Sequence, residues 1–498
     1  MTTDADVPAT GTTGTDTTTA VRPAAAPDQG VTQPETAGRT ARPGALGLIL
    51  AAIVGAEFIL QLDATIVAVA LPNLQEDLGL SAGSLSWVVN GFLLAFGGLL
   101  LFGGRLGDVV GHRTTFIAGT SLLAAASLLA GLASNVGLLL TGRVLQGAGA
   151  ALAGPAGLAL LATTFTGARQ QRAFAVYSTV TGLAASAGMV LGGILTDLAN
   201  WRWTLLINAP IGVAVALLTA RVVPSPSRSD ERRALDVPGA VLSVIGMTAL
   251  VYGFVAAAED GWDSGRAVAG LVGGVAVLAG FVLREAQASS PLLPLRVVTH
   301  RGRAGAFVNL LLMAFALTGF LFFLTQFLQR VLELEPLVTG LAFLPFGVSL
   351  LLAARAVPKI LTRLNPRALA ILGFAVMALA LFWLSRLGND SDYATGILVP
   401  IILLGAGAGA AVVPLNIIIL SQSAPEEIGV TSGVLQSALS VGGSLGIAIL
   451  LTLYTAADDV AGGVTRAFTG GAVIAAVAVV LGLVFWYLPG RRPAEAAA

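Results

Sequence analysis

The chain is expected to fold as an all-α polytopic membrane protein with fourteen transmembrane spans, and three features of the sequence predict this. Of its 498 residues 56% are hydrophobic and 11% charged, with a mean hydropathy of +0.87, far from the balance of a water-soluble globular domain. Apolar stretches recur along it, each near the ~20 residues an α-helix needs to cross a ~30 Å hydrocarbon core. The basic residues then fall on alternate loops. One side holds 21 of the 27 Arg and Lys residues, among them Arg105, Arg113, Arg169, Arg172, Arg228, Arg301 and Arg363; the other holds five, Arg202, Arg266, Arg330, Arg386 and Arg466, and Arg143 lies inside a span. Loops rich in Arg and Lys stay cytoplasmic, so an even number of spans puts both termini on the cytoplasmic side.

Taken in order, residues 1–44 are rich in Thr, Ala, Pro and Gly, too polar to bury a core, and are expected to be a disordered cytoplasmic tail. They lack a basic start followed by an apolar stretch and a small-residue cleavage site, so no secretory leader is expected. Six spans come next, at 45–71, 83–104, 113–133, 136–162, 172–196 and 202–221, and form an amino-terminal six-helix bundle over 45–221. The charged run PSPSRSDERRALD makes 222–236 a cytoplasmic linker. Spans at 237–257 and 266–284 carry few polar residues and are read as two inserted helices over 237–284. Six more, at 304–329, 336–357, 367–386, 394–420, 428–454 and 467–488, give a carboxy-terminal six-helix bundle over 285–488, with a cytoplasmic tail at 489–498. A faint repeat supports two equivalent halves: GRLGDVVGHR after the second span and RAVPKILTRLNPR after the tenth are basic turns at matching places.

Composition also removes whole classes of function. There is no cysteine, hence no disulfide, thiol catalysis or cysteine metal site. His112 and His300 fall in predicted loops without a companion at metal-ligand spacing, so no metal or other cofactor is expected. The 27 acidic residues balance the 27 basic ones, which gives no reason to expect nucleic acid as a partner. No nucleophile–base–acid set and no phosphate-binding GxxxxGKS-type loop is present, so neither an enzyme nor an ATP-driven pump is expected.

The first span, ALGLILAAIVGAEFILQLDATIVAVALP, carries two carboxylates, Glu57 and Asp63. At about 1.5 Å per residue from Leu46, Glu57 lies about 16 Å into the membrane and Asp63 about 25 Å. A carboxylate there costs at least ~2.5 to 3.5 kcal/mol and normally faces a water-filled cavity or a partner; an interhelical hydrogen bond is the competing reading. Glu57, Gln61 and Thr65 repeat at i, i+4 and form one polar stripe, whereas Asp63 lies about 120° around the helix from Glu57. The two acids are therefore expected to have different surroundings. In the fourth span, LTGRVLQGAGA, Arg143 is a permanent cation that needs a carboxylate, and the fully intramembrane acids available to it are Glu57 and Asp63. A pairing between the first and fourth helices is expected, with an arginine that snorkels to the membrane face as the alternative.

Three further segments stand out. Gly104-Arg105-Leu106-Gly107-Asp108-Val109-Val110-Gly111-His112-Arg113 joins two helices by a tight charged turn in which Asp108 can pair with the arginines or cap a helix. The fifth span is dense in small residues from Thr181 to Gly193, which permit close helix crossing. The sixth opens on WRWTLLINAPIG, aromatics at an interface. In the second half no span contains an acid. Its midspan polar residues Asn309, Gln326, Asn416 and Gln436, with Gln61 and Asn90 of the first half, are candidate substrate-cavity contacts or interhelical hydrogen bonds. Trp383, Phe322 and Phe323 could stack on a ligand or pack in lipid or core.

The stretch LDATIVAVALP from Leu62 to Pro72, the Gly104–Arg113 loop, the Arg143 segment and WRWTLLINAPIG together resemble the fourteen-helix drug:proton antiporter family of the major facilitator superfamily, and the resemblance runs from about 45 to 488. PLLPL at 291–295, FLTQFLQRVLELEPLVTGLAFLP, and Pro425-Glu426-Glu427 leading to Ser432-Gly433 agree with it. It implies a major facilitator fold and proton-driven export of amphipathic compounds, such as antibiotics, dyes or biocides, from a bacterial plasma membrane by alternating access. The partners are then a small-molecule substrate, protons and the lipid bilayer, the energy source is the proton gradient, and a monomer is expected.

By position, the resemblance makes Asp63 the proton-coupling acid, with Arg143 as relay; Glu57, read from its chemistry alone, either takes a second proton or binds a cationic substrate. The resemblance makes Gly104, Arg105, Gly107, Asp108, Gly111 and Arg113 the gating loop, and Gly188, Gly192 and Gly193 the antiporter bend motif. Two departures are evident: Met189 holds a place where proline is usual after the glycine, and Glu57 a place where a small or neutral residue is expected. An importer or uniporter of a small metabolite on the same fold is the alternative.

Overall fold

Among the described residues of the computed structural model, thirteen helical segments are long and apolar enough to cross a membrane. The structure describes residues 43–224, 236–288, 300–422 and 428–487, with residue 11 and positions 291–293, 296 and 298. Nearly all of the expected amino-terminal tail, most of the 222–236 linker, the 489–498 tail and the Pro425-Glu426-Glu427 block lie outside the described residues. Among the described residues all regular structure is helical. Helix α1 spans Pro43–Leu78, α2 Ala82–Val110, α3 His112–Gly131, α4 Val136–Thr164 and α5 Gly167–Leu198. The sixth expected span is two pieces, α6 Arg202–Leu206 and α7 Asn208–Val222. Then come α8 Val237–Asp260, α9 Gly265–Gln287, α10 Arg301–Arg330, α11 Pro336–Ala342, α12 Leu344–Ile360 and α13 Pro366–Leu384. A π-helical turn at Tyr393–Ile397 leads into α14 Leu398–Leu420, followed by α15 Ile428–Tyr454 and α16 Val460–Trp486. Helix α5 has 32 residues, with an apolar stretch at Ala187–Leu198.

Local chemistry sets the boundaries. Side chains of Ser81, Asn135, Ser264, Asn365 and Asp459 accept backbone N–H groups at the starts of α2, α4, α9, α13 and α16, satisfying donors a helix leaves open. The Asp459 cap starts α16 at Val460 rather than at 467, so Arg466, expected in a loop, lies inside a helix. The expected turn over 104–113 is also mostly helix. A single residue, Gly111 at φ 99°, turns α2 into α3, a conformation that favours glycine, and His112, expected in a loop, is the first residue of α3. Two breaks share a cause. Pro210 and Pro345 lack the N–H that would bond the carbonyl four residues back, and the helices part at Ile207 and Phe343, between α6 and α7 and between α11 and α12.

In the first half α1 is packed by α5, α7 and α4, and α3 lies against α4 and α7; in the second, α10 packs on α15 and α16, and α14 on α12 and α13. The halves meet chiefly along two seams, and α1 also touches α10. At one, α2 lies along α15, with Ser437 Oγ donating to the Gly97 carbonyl at 3.0 Å and Ser444 Oγ to Asn90 Oδ1 at 3.0 Å. At the other, α5 meets α11. Helices α8 and α9 pair as a hairpin, and α8 rests on both α2 and α15. Ser243 Oγ donates to the Gly98 carbonyl, and Ser81 Oγ to Glu259 Oε1 at 2.7 Å.

Candidate functional site

Asp63 has no exposed surface and Arg143 has 1%, and their side chains form an ion pair of 2.6 Å between α1 and α4. Three further observations complete the cage. Arg143 Nε donates to the Val88 carbonyl of α2 at 2.8 Å, and its guanidinium carbon lies 4.7 Å from the centre of the Phe92 ring. Gln146, one turn beyond Arg143, accepts from Arg143 Nη1 at 3.0 Å and donates from Nε2 to Asp63 Oδ1 at 3.1 Å and to Ser127 Oγ of α3 at 2.8 Å. Asn208 Nδ2 donates to Asp63 Oδ1 at 2.6 Å. Asn208 is the first residue of α7, so the break at Ile207 sets where this amide enters the site. Charge is neutralised and both carboxylate oxygens have donors, the conditions under which a buried ion pair is tolerated. Residues of five helices, α1, α2, α3, α4 and α7, therefore meet in one network around the Asp63–Arg143 pair.

Glu57 belongs to a different cluster, as the 120° offset predicts. It is 6% exposed. Its Oε1 accepts from Gln61 Nε2 at 2.9 Å and from Thr181 Oγ1 at 3.0 Å, and its Oε2 from the Tyr177 hydroxyl at 2.6 Å. Thr65, third in the stripe, donates to its own helix at the carbonyls of Gln61 and Leu62. Arg143 pairs with Asp63, not Glu57, and among the described residues no cation makes an ion pair with Glu57.

In the 104–113 segment, Gly104, Arg105, Gly107 and Asp108 all lie within α2. Gly107 is buried against the His112 ring: a Cβ there would lie 2.7 Å from Nδ1. Among the described residues Asp108 lies 3.6 Å from His112 Nε2 rather than against an arginine. Arg113 instead donates to the carbonyls of Ala220 and Val223, at 2.6 and 2.7 Å, tying the start of α3 to the end of α7, where a cation offsets the helix dipole. The small residues of α5 make two close approaches. A Cβ on Gly188 would strike the Thr65 hydroxyl, and one on Gly192 would lie 2.5 Å from the Ile66 carbonyl, so that face is pressed to α1. A Cβ on Gly193 would lie 2.5 Å from the Pro336 carbonyl of α11, and one on Gly340 of α11 would strike the Met189 carbonyl.

The remaining candidates are scattered. Gln61 serves Glu57. Asn90 accepts from Ser444 across the seam. Asn309 Nδ2 donates to the Gly305 carbonyl of its own helix, and its Oδ1 is unpartnered. Gln326 is buried with both amide atoms unpartnered, Asn416 Oδ1 is likewise unpartnered, and Gln436 is half-buried. Phe322 and Phe323 are buried and stack edge to face, Phe323 also against Tyr454, whereas Trp383 is 41% exposed on the outer surface. Sequence reasoning passed over Gln146, Asn208, Ser127 and Tyr177. The first two had a signal: an amide three residues after a membrane arginine, and one in the midst of LLINAP.

The profile of the Major Facilitator Superfamily matches residues 53–447. A puromycin resistance protein of Streptomyces alboniger is 42% identical over 416 residues, covering 82% of this chain and 82% of its own. A cephamycin export protein of Amycolatopsis lactamdurans is 38% identical over 420 residues, covering 84% of this chain and 86% of its own. Among solved structures, the xylose transporter XylE from E. coli, in a partially occluded inward open conformation, superposes with a TM-score of 0.60 at 12% identity, over 90% of this chain and 98% of that one.

Proposed function

The chain belongs to the major facilitator superfamily, and from that premise we propose that it exports small amphipathic antibiotics from a bacterial cell by alternating access, in exchange for protons. Relatives that align over more than four-fifths of their length are named for puromycin resistance and cephamycin export, which supports efflux of compounds of that kind. The observation that carries the coupling is the caged Asp63. A carboxylate held by a guanidinium and two amides from other helices changes its contacts when it takes up a proton, because the charge-assisted bond to Arg143 weakens. Released from Asp63, Arg143 retains the Val88 carbonyl and Gln146, so it stays in place to receive the anion again. Protonation is thereby linked to how α1 sits against α4 and α7. The proton gradient drives the cycle and no cofactor takes part.

In this reading the membrane is crossed fourteen times, α5 adding to the thirteen, in the order six, two, six, with both termini cytoplasmic and the chain monomeric in the plasma membrane. The α2–α3 hinge with Arg105, Asp108 and Arg113 acts as the gate on the side of the termini. The glycines at 188, 192 and 193 let α5 close against α1 and α11 on the other. Gln326, Asn309, Asn416, Asn90 and Gln436 contribute polar contacts to the substrate cavity.

The test is transport. In a host lacking its own pumps the protein is expected to raise resistance to puromycin or a related antibiotic, and in proteoliposomes substrate is expected to drive proton release. Asp63→Asn should abolish both while the protein still folds; retained drug–proton exchange in that variant would sink the coupling. Substrate accumulation in place of depletion would point to an importer.

A further inference from the structure

We propose that the carboxy-terminal end of α12 is a binding site for an anionic phospholipid, whose headgroup is held by Arg355, Lys359 and Arg363 and whose acyl chains lie along the preceding turns of the helix. The inference goes beyond the export reading, for it concerns the membrane around the protein and neither its cargo nor its protons. The topology proposed above puts this end of α12 at the cytoplasmic leaflet.

Charge is the first observation. From Pro336 to Asn389 the chain has no Asp or Glu, yet it carries Arg355, Lys359, Arg363, Arg367 and Arg386. The first four are exposed, and among the described residues none of their side chains takes part in an ion pair or a hydrogen bond. Other arginines at that side of the molecule are occupied: Arg113 holds the carbonyls of Ala220 and Val223, Arg284 holds Asp236, and Arg301 holds the Val484 carbonyl. The matching turn of the first half contains an acid, Asp108, whereas RAVPKILTRLNPR contains none. Arg355 and Lys359 stand four residues apart on one helix, where like charges repel. An anion relieves that repulsion.

Shape agrees with charge. Lys359 and Arg363, with Ile360, Thr362 and Leu364, line a cavity of about 770 Å³ at the end of the helix, large enough for an organic headgroup. Val348, Leu352, Arg355 and Lys359 share one stripe of α12, because steps of three and four residues return to the same face. Val348 is 53% and Leu352 59% exposed. From Val348 to Lys359 the helix rises about 16 Å, close to half of a ~30 Å hydrocarbon core. The stripe thus offers apolar surface through one leaflet and cations at its edge, the order of parts in an anionic phospholipid; basic pockets between membrane helices take such headgroups. The dipole of α12 favours a cation in its last turn, which Lys359 supplies, but its reach ends there, and Arg355 and Arg363 lie to either side. A basic loop also fixes orientation, which needs neither a cavity nor a stripe. Helix α12 continues from α11, which meets α5 between the halves, so a lipid held at the end of α12 bears on an element of that seam.

The experiment uses the full-length protein in detergent micelles, with cardiolipin as the probe, phosphatidylcholine of the same acyl chains as the control, and native mass spectrometry to read bound lipid. Wild type is expected to bind cardiolipin about tenfold or more tightly than phosphatidylcholine. Each cation removed should weaken cardiolipin binding about fivefold, so Arg355→Gln with Lys359→Gln and Arg363→Gln should lose about a hundredfold and leave phosphatidylcholine binding unchanged. Arg169→Gln with Arg172→Gln and Arg221→Gln removes the same charge elsewhere on that side and should leave cardiolipin binding intact. A second measurement needs no variant. Lys359 is the one lysine of the chain, so reductive methylation with carbon-13 gives it a resonance of its own, expected to shift with cardiolipin and not with phosphatidylcholine. Equal affinity for the two lipids, equal loss in the two triple variants, or a Lys359 resonance that cardiolipin leaves unmoved overturns the inference. Inorganic phosphate that shifts this resonance as fully as cardiolipin does also overturns it, since the site would then be one for a free anion.

Discussion

Arg143 shows how a membrane interior treats a permanent charge. It is among the largest fully buried side chains in the molecule, and the Val88 carbonyl, Gln146, Asp63 and the Phe92 ring surround it. Removing it should therefore harm Asp63 more than it harms the packing. Arg143→Leu is expected to cost about 3–5 kcal/mol, the usual penalty for leaving one member of a buried pair alone. Arg143→Leu with Asp63→Leu should recover most of that loss, and thermal unfolding of the purified single and double variants measures both. If the double variant is as unstable as the single one, packing rather than charge sets the loss.

At the scale of helices, the close approach of α5 to α1 and α11 depends on residues without side chains. Gly340 of α11 has the Met189 carbonyl where a Cβ would stand, and Gly193 of α5 has the Pro336 carbonyl. Backbone cannot swing aside as a long side chain can, so Gly340→Val should force the two helices apart. Overpacking of this kind costs about 1–3 kcal/mol, and if it falls on the state in which this seam is shut, efflux should drop by about tenfold with little change in the amount of protein made. Efflux of a fluorescent substrate, normalised to protein in the membrane, reads the effect. The Met189 departure matters less here than the glycines, since its carbonyl rather than its side chain meets Gly340.

For the whole molecule, alternating access requires the halves to move against one another. The α2–α15 seam offers a direct test because the chain contains no cysteine. A Cβ on Gly97 would lie 2.7 Å from the Ser440 Cβ, somewhat nearer than the ~3.8 Å of a relaxed disulfide. Gly97→Cys with Ser440→Cys is expected to form a disulfide under mild oxidation and stop efflux, and reductant should restore it. Undiminished efflux in the cross-linked protein would mean that this seam stays fixed throughout the cycle. The α8–α9 hairpin rests over the same seam, bonded to α2 through Ser243 and Glu259.

Hydrophobic periods, basic loops and intramembrane charges determined most of the architecture by themselves, since lipid forces every backbone group into helix hydrogen bonds and leaves few choices. Span positions follow from apolar length, and thirteen of the fourteen expected spans recur as membrane-length helices. That Asp63 and Glu57 face different surroundings was legible too, because helix geometry fixes their 120° offset. What only the tertiary structure decided was which neutral groups complete each acid. Gln146 and Asn208 reach Asp63 from two helices, Ser127 of a third holds Gln146, and Tyr177 and Thr181 reach Glu57 from a fourth. Gln146, one turn from Arg143 on the same helix, left a local signal; the other partners come from separate helices brought together by glycine contacts and proline breaks, and a neutral amide or hydroxyl leaves no trace in the sequence comparable to that of a buried charge.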